Sequence, residues 1–308
     1  MRALDEERTL SDLVEEALAV YPKRKNSQRQ GFRRQKKRSL IIGSILLFGP
    51  GCRDEPAMDT SGGGGGEGGE PEMCAGVVAG DVRVSSDGEL ADLEGVGHVE
   101  GELRISGDVE SLEALACLER VDGRLVIERT MLRDLSGLES LVEAESLVLM
   151  ENRQLASTRG IGVQDLAGEI DELSGFSGSL SLIRGNHELS ELRFDALREM
   201  GSMSIGGCGM PPGGDGNDLL EELDEAAFPV LESAVTLSVG SNHGLRTVDG
   251  MVSSFGGESP FMSVNFSDNS SLDGARLQEL WVEAGLTGRL LTCGNGEGED
   301  VCECPPPP

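Results

Sequence analysis

The residues best suited to acid–base or nucleophilic catalysis are scarce in this chain. It contains three histidines, His98, His187 and His243, and the last two each follow an asparagine. The sequence has no G-x-S-x-G nucleophile elbow, no phosphate-binding P-loop and no H-E-x-x-H zinc motif. Carboxylates are abundant, but no spacing selects two of them as an acid–base pair. The sequence therefore predicts that the protein is not an enzyme and has no catalytic residues.

One segment has the spacing of a calcium-binding turn. Residues 213–220, GGDGNDLL, fit the nonapeptide pattern G-G-x-G-x-D-x-U, with Asp215 and Asp218 as the candidate ligands. Such sites depend on tandem copies, because each ion lies between successive turns, and this chain has a single copy. We favour a glycine-rich loop in which Asn217 or Asp218 caps a short helix. No metal or other cofactor is expected.

The seven cysteines are the remaining group with chemical potential. Cys52 follows a leader with its own signal and is not counted among the disulfide candidates. In an exported protein the other six are disulfide candidates: Cys74, Cys117, Cys208, Cys293, Cys302 and Cys304. The spacing suggests a bridge between Cys74 and Cys117, and another from Cys293 to Cys302 or Cys304. A zinc site is the alternative, but paired C-x-x-C spacing and nearby histidines are missing.

The leader, residues 1–51, has the organisation of an export signal. Its basic stretch, residues 23–38, precedes an uncharged run that is too short to span a bilayer but suits a signal-peptide core. This order, ending in Cys52, resembles a bacterial lipoprotein signal. The resemblance implies cleavage before Cys52 and attachment of lipid to its thiol. It departs from the family pattern at Gly49, where leucine is usual.

A tether follows the leader. Residues 52–73 consist largely of Gly, Glu and Pro with few apolar side chains, which is typical of a flexible segment. In lipoproteins of this type an aspartate directly after the cysteine signals retention at the inner membrane, and this chain has Arg53 there. The resemblance therefore implies an exported protein, held at the outer membrane or cell surface by lipid at Cys52.

Composition limits the partners. The net charge is −29, and the basic residues are concentrated before residue 39, so the rest of the chain is more acidic still. Such a surface repels phosphate backbones, and no nucleic-acid partner is expected. Aromatic residues make up only 3% of the chain, so that a core must be built mainly from aliphatic side chains.

A repeat organises residues 74–292. VEGELRI at 99–105 and VDGRLVI at 121–127 belong to a series of strand-like tripeptides spaced about 20–25 residues apart, with two longer gaps that indicate insertions. Antiparallel hairpins would recur at about 8–12 residues. The period predicts a solenoid of about eight coils with parallel strands. The predicted strand cores are Val82-x-Val84, Leu103-x-Ile105, Leu125-x-Ile127, Leu147-x-Leu149, Leu180-x-Leu182, Met203-x-Ile205, Leu237-x-Val239 and Met262-x-Val264.

An asparagine recurs after the strands, in the pattern Asn-x-x-Leu. Its amide is suited to bond the backbone of an adjacent coil and so to satisfy the groups at a turn. We therefore predict a structural asparagine corner rather than a catalytic one. Its members are Asn152, Asn186, Asn242 and Asn269.

The repeats GELRI, VDGRLVI and ACLERV (116–121) resemble the receptor L-domain, a leucine-rich-repeat-like solenoid, over about residues 80–290. The resemblance implies a mainly β, right-handed parallel β-solenoid, here with short helical insertions, followed by a Cys-rich and Pro-rich tail at 293–308. It also implies a module that binds a protein or a carbohydrate, although no binding residues are carried over.

Two other functions stay open. Parallel β-solenoids also include enzymes that act on polysaccharides, and a solenoid can serve as an envelope spacer without a specific ligand. The enzymes place acids on one strand face, whereas the predicted outward strand centres include no acid. These centres are Arg83, Arg104, Val126, Val148, Ser181, Ser204, Ser238 and Ser263. The row favours a binding module or a purely structural role over an enzyme.

Overall fold

The computed structural model describes four stretches of the chain, residues 74–166, 180–207, 216–255 and 259–296. All four belong to one compact unit. Several predicted features lie outside the described residues: the leader, the tether, Cys52, Asp215, Cys208, Cys302 and Cys304.

Parallel strands dominate the described part of the chain. Twelve of them form one sheet, and all the pairings between them are parallel. This confirms the prediction of a mainly β, parallel-stranded fold. The strands are β1 (Gly76–Val78), β2 (Val82–Ser86), β3 (Val96–Val99), β4 (Leu103–Asp108), β5 (Arg120–Glu128), β6 (Glu143–Met150), β7 (Asp165–Leu166), β8 (Leu180–Arg184), β9 (Glu199–Gly206), β10 (Ser233–Gly240), β11 (Phe261–Ser267) and β12 (Arg289–Cys293).

Short helices occupy some of the connections. They are α1 (Asp87–Ala91), α2 (Asp249–Ser254) and α3 (Gly274–Glu283), with a 3-10 turn at Glu113–Leu115. Ser86 caps α1 and Asp273 caps α3, each accepting a hydrogen bond from a backbone N–H three residues later. One face of α3 is buried through Leu277, Leu280 and Trp281. The caps and the buried face explain why helices form here.

The strands lie in two rows. The main row runs β2, β4, β5, β6, β8, β9, β10, β11, β12, and a narrower row begins with β1 and β3. β5 belongs to both rows, because Arg120 pairs with His98 of β3 while Leu125 pairs with Leu103 of β4. Strands one repeat apart in sequence are thus neighbours in space, and we call each complete turn of the chain a coil.

Alternation along the main row separates an inner from an outer face. Leu103 and Ile105 pair with Leu125 and Ile127, and all four are 0% exposed. Because successive side chains of a strand point to opposite faces, the residues between them face outward. Elsewhere in the core aromatic rings stack between coils, as Phe194 does on Phe228 with ring centroids 5.7 Å apart. No coil buries its apolar side alone, so stacking creates the core.

The fifth predicted strand core is wrong by one residue. Val148 pairs with Leu182 and Leu149 with Ile183, so the inner residues of β8 are Ser181 and Ile183. A shift of one residue exchanges the two faces of a strand. Ser181, predicted to face outward, is instead 1% exposed, and its hydroxyl accepts a hydrogen bond from the Leu147 N–H at 3.1 Å.

The eighth core is wrong by two residues. Leu237 pairs with Val264 and Val239 with Phe266, so Asn265 rather than Ser263 is the outward strand centre of β11. The apolar Met262, which the sequence predicts to lie in the core, is 72% exposed. A ninth main-row strand, β12, follows, and its pairing was not predicted because its inner face includes a threonine.

Candidate functional site

The predicted corner asparagines form a buried ladder along the stack. Asn152, Asn186, Asn242 and Asn269 are all 0% exposed. The Asn186 side-chain oxygen accepts hydrogen bonds from the Asn152 N–H at 3.0 Å and from its Nδ2 at 3.2 Å. Asn186 Nδ2 donates to the carbonyl of Leu149 at 3.0 Å. Each amide therefore satisfies backbone groups of the preceding coil.

The ladder has two further asparagines that the sequence prediction missed. The Asn217 Oδ1 accepts from the Asn186 N–H at 3.2 Å, and the Asn295 Oδ1 accepts from the Asn269 N–H at 3.1 Å. Asn217 shares the Asn-x-x-Leu spacing through Leu220, so the sequence did carry its signal. Asn295 has no leucine three residues later, so the sequence gives no such signal for it. At the other end Thr130 takes the place of an asparagine and bonds to Asn152.

The backbone before the ladder residues is left-handed at six of the seven positions. Glu151, Ser241 and Asp268 have φ of 54°, 56° and 56°, which is uncommon for residues with a Cβ. Arg129 is in the same conformation, and glycine takes the place at Gly185 and Gly294. The turn that ends β5, β6, β8, β10, β11 and β12 is thus one repeated structure.

The interpretation of Asn217 as a helix cap is wrong. Residues 216–223 contain turns and an isolated bridge, Glu222 to Thr247, but no helix. The adjacent Asp218 is exposed, and its carboxylate lies 3.4 Å from His187 Nδ1. No group of three or more His, Cys, Asp or Glu side chains in the described stretches is arranged to hold a metal ion.

The three histidines lie at separate places. His187 and His243 follow ladder residues on different coils, and His243 Nδ1 is 3.4 Å from the Ser270 hydroxyl. His98 lies on β3, with Nε2 3.1 Å from Asp122. The Arg120 guanidinium, and secondarily His98, hold the pKa of the Asp122 carboxyl below its ordinary value. Each histidine thus has a polar side chain within 3.4 Å, and the three do not come together.

A disulfide closes the first coils. Cys74 is bonded to Cys117, which confirms the predicted bridge across the start of the stack. Cys293, at the end of β12, is disulfide-bonded as well. The bridges therefore lie at the first and last described coils, where a stack has a neighbour on one side only.

From β4 to β11, the outer face of the main row, formed by its outward-pointing side chains, divides into three regions. The first, on β4 and β5, consists of paired charges. Arg104 lies between Glu102 and Glu128, at 3.0 and 2.7 Å, and Arg124 contacts Glu102. These two glutamates are largely covered, with 16% of each side chain exposed. Their carboxylates are engaged by arginine.

The second region, the apolar strip, crosses the middle of the outer face. Val126, Val148 and Leu182 pair in register on β5, β6 and β8. Leu180 beside them is 53% exposed. The neighbouring Ser146 is fully buried, and its hydroxyl has no hydrogen-bond partner among the described residues. The strip is therefore apolar throughout, buried at Val126 and open to solvent at Leu180.

The third region, the hydroxyl face, covers β9, β10 and β11. Its six side chains are small, half-buried and uncharged, and the pairing register places them in two columns of three. The Ser204 hydroxyl makes a 3.5 Å contact with the Gly206 carbonyl, and the other five side chains make no hydrogen bond within the described residues. The six are Ser202, Ser204, Thr236, Ser238, Ser263 and Asn265.

Two hollows elsewhere on the stack are less suited to a specific ligand. One of about 430 Å³ is bordered by Glu110, Glu113, Arg133 and Asp134, and another of about 440 Å³ lies near Arg159. Both lie away from the main-row strands, among loops that carry mixed charges. The hydroxyl face is the more regular surface, because its groups are fixed by strand register.

No protein-family model matches the chain, and no curated protein or solved structure matches it. None of the helices in the described part of the chain is both long and apolar enough to span a membrane.

Proposed function

We propose that this protein is a non-catalytic binding protein, displayed at the outer membrane or cell surface by lipid on Cys52. Its solenoid is right-handed and L-domain-like, and it binds a protein or a carbohydrate. One observation carries the proposal: the hydroxyl face presents six small polar side chains in fixed register, and five of them make no hydrogen bond within the described residues. A surface of this kind offers a ready-made set of contacts, because its side chains need no rearrangement to bind.

A polysaccharide-acting enzyme is the first alternative. Such an enzyme needs two carboxyl groups free to donate and accept protons. The acids of the outer face, Glu102 and Glu128, are instead held by Arg104. The hydroxyl face itself carries no acid. This arrangement favours binding over turnover.

The lipid anchor has a direct test. The full chain is expressed in a bacterial host that acylates lipoproteins, in the presence of radioactive palmitate, and compared with Cys52→Ala. We expect label in the parent protein and none in the variant, while Cys117→Ala, a matched control, stays labelled. Label that persists in Cys52→Ala would contradict the anchor.

Binding is separated from turnover and from a spacer role by one panel of assays. The full chain is incubated with insoluble polysaccharides and with detergent extracts of bacterial envelopes. Retained protein is quantified, and released reducing ends are measured in the same tubes. Retention without release supports a binding protein. Release of reducing ends would establish the enzyme, and absence of any retention would establish the spacer.

A further inference from the structure

Five of the six side chains of the hydroxyl face make no hydrogen bond within the described residues, whereas the outward charges on β4 and β5 are paired. On β4 and β5 the outward charges neutralise one another through Arg104 and Arg124. On β9, β10 and β11 the hydroxyls of Ser202, Thr236 and Ser238 make no hydrogen bond within the described residues. Half-buried donors and acceptors of this kind bond to water when no ligand is present, and the hydroxyl groups of a ligand can replace that water.

The geometry of this face is regular. Ser202 pairs with Thr236 and Thr236 with Ser263, while Ser204 pairs with Ser238, without any interruption of register. The six side chains therefore form two columns, with about 4.8 Å between strands and about 6.6 Å between columns. Inner residues such as Met203 and Leu237 are buried beneath them, which holds the columns in place. A flat, repeating ligand fits such an array better than a compact one.

The charge of the face restricts the chemistry of the ligand. The chain carries a net charge of −29, yet none of the six residues is ionisable. The exposed Arg289 of β12, which pairs with Ser263, is a basic residue at the edge of this face, and a single cation in such an acidic protein offers little attraction to anionic polymers. The apolar strip, represented by Leu180 and Leu182, adjoins the face across the β8–β9 pairing. The combined surface offers apolar contact beside neutral hydrogen-bonding groups.

The area of the surface distinguishes between a carbohydrate and a protein. Three strands of six residues cover about 15 by 20 Å, or about 300 Å², and adding the three strands of the strip gives about 600 Å². A stable protein interface buries about 800 Å² on each partner. A single polysaccharide chain needs less, because it is narrow and contacts the strands one sugar at a time.

We infer that the hydroxyl face and the apolar strip together bind a neutral polysaccharide, a deepening that rests on the proposed binding function. Sugar hydroxyls bond to Ser202, Thr236 and their neighbours, and the C–H faces of the sugar rings pack on Leu180 and Leu182. The chain of sugars crosses the strands, so that successive coils contact successive sugars. Neutral polymers are preferred because the acidic protein repels anionic ones.

The test uses the full chain and polysaccharides of both charge types. Cellulose, chitin and starch granules are the neutral probes, and polygalacturonate and alginate gels are the anionic ones. The variant Ser238→Glu places a charge at the centre of the hydroxyl face, at a position that is only half-buried. Ser253→Glu is the matched control, because Ser253 is exposed on α2, away from this face. Circular dichroism verifies that both variants fold.

We expect retention on at least one neutral polysaccharide and none on the anionic gels. Ser238→Glu should weaken that retention by about tenfold or more, because the carboxylate must be desolvated against a neutral ligand. Ser253→Glu should bind as the parent does. Failure on every neutral probe overturns the inference, as does equal binding by Ser238→Glu.

The two proposals fail in different ways. If the neutral polysaccharides are not retained but a purified envelope protein binds, and Ser238→Glu abolishes that binding, the carbohydrate inference is wrong and the binding function stands. If neither kind of ligand is retained, both proposals are wrong. Binding to the anionic gels alone would overturn the neutral preference and leave the binding function in place.

Discussion

Replacing Asn242 with alanine tests how much the asparagine ladder contributes to holding the coils together. Asn242 Oδ1 accepts from the Asn217 N–H at 3.0 Å, and Nδ2 donates to the Ile205 carbonyl at 2.9 Å. All three residues are 0% exposed, so water has no access to the groups that lose their partners. Alanine therefore leaves a buried donor and a buried acceptor unsatisfied.

The magnitude follows from those two groups. Each buried polar group without a partner costs about 1–3 kcal/mol, so Asn242→Ala should lower the free energy of unfolding by about 2–6 kcal/mol. A typical domain has a free energy of unfolding of only about 5–15 kcal/mol. Because coils interact with their nearest neighbours, the loss should be concentrated in β9, β10 and β11.

Two measurements on the full chain check this expectation. Urea unfolding gives the change in free energy, and hydrogen exchange shows where protection is lost. Asn265→Ala is the matched control, because Asn265 is half-buried on the outer face and its side chain makes no hydrogen bond within the described residues. We expect the control to change stability by less than about 0.5 kcal/mol. Equal losses in Asn242→Ala and Asn265→Ala would refute the role of the ladder.

Three other substitutions test separate parts of the fold. Cys117→Ser removes the bond to Cys74 and should cost about 2–5 kcal/mol in urea unfolding under oxidising conditions, with no difference from the parent once both are reduced. Asp122→Asn removes a carboxyl whose pKa is lowered mainly by Arg120. The stabilisation by this carboxyl is present above about pH 4 and is lost as the pH falls through its lower folded-state pKa. The variant should therefore have a lower melting temperature than the parent at neutral pH and the same melting temperature in strong acid. Ser241→Gly relieves a left-handed backbone with φ of 56° and should raise stability by up to about 1 kcal/mol, and a lower melting temperature would contradict this.

Repetition made much of the architecture predictable. The alternation in segments such as LRI at 103–105 and LVI at 125–127, one repeat apart, predicted parallel neighbours, and the structure pairs Leu103 with Leu125. The early position of Cys74 and Cys117 likewise predicted their bridge. The strand alternation is local in sequence and recurs with the period, so it predicts the pairing without knowledge of the contacts. The bridge followed from the position of two cysteines at the start of the repeats.

The prediction of strand register was wrong where an apolar side chain is exposed or a polar side chain is buried. Leu180 and Met262 are apolar but exposed, and Ser181 is polar but buried. Apolar alternation therefore assigned the inner residues of β8 and β11 to the wrong positions. Only the pairing with the neighbouring strand fixes such positions, because a hydrogen-bonded ladder permits one register at a time.

The sequence by itself determined the period of this protein, its parallel strands and four of its corner asparagines. The tertiary structure alone decided that Asn295 continues the ladder and that Glu102 and Glu128 are held by arginine. It also decided that the hydroxyls of Ser202, Thr236 and Ser238 make no hydrogen bond within the described residues. The reason is physical. A repeat states which residue types recur, but whether a polar group has a partner depends on the coil stacked against it, which lies a full repeat away along the chain.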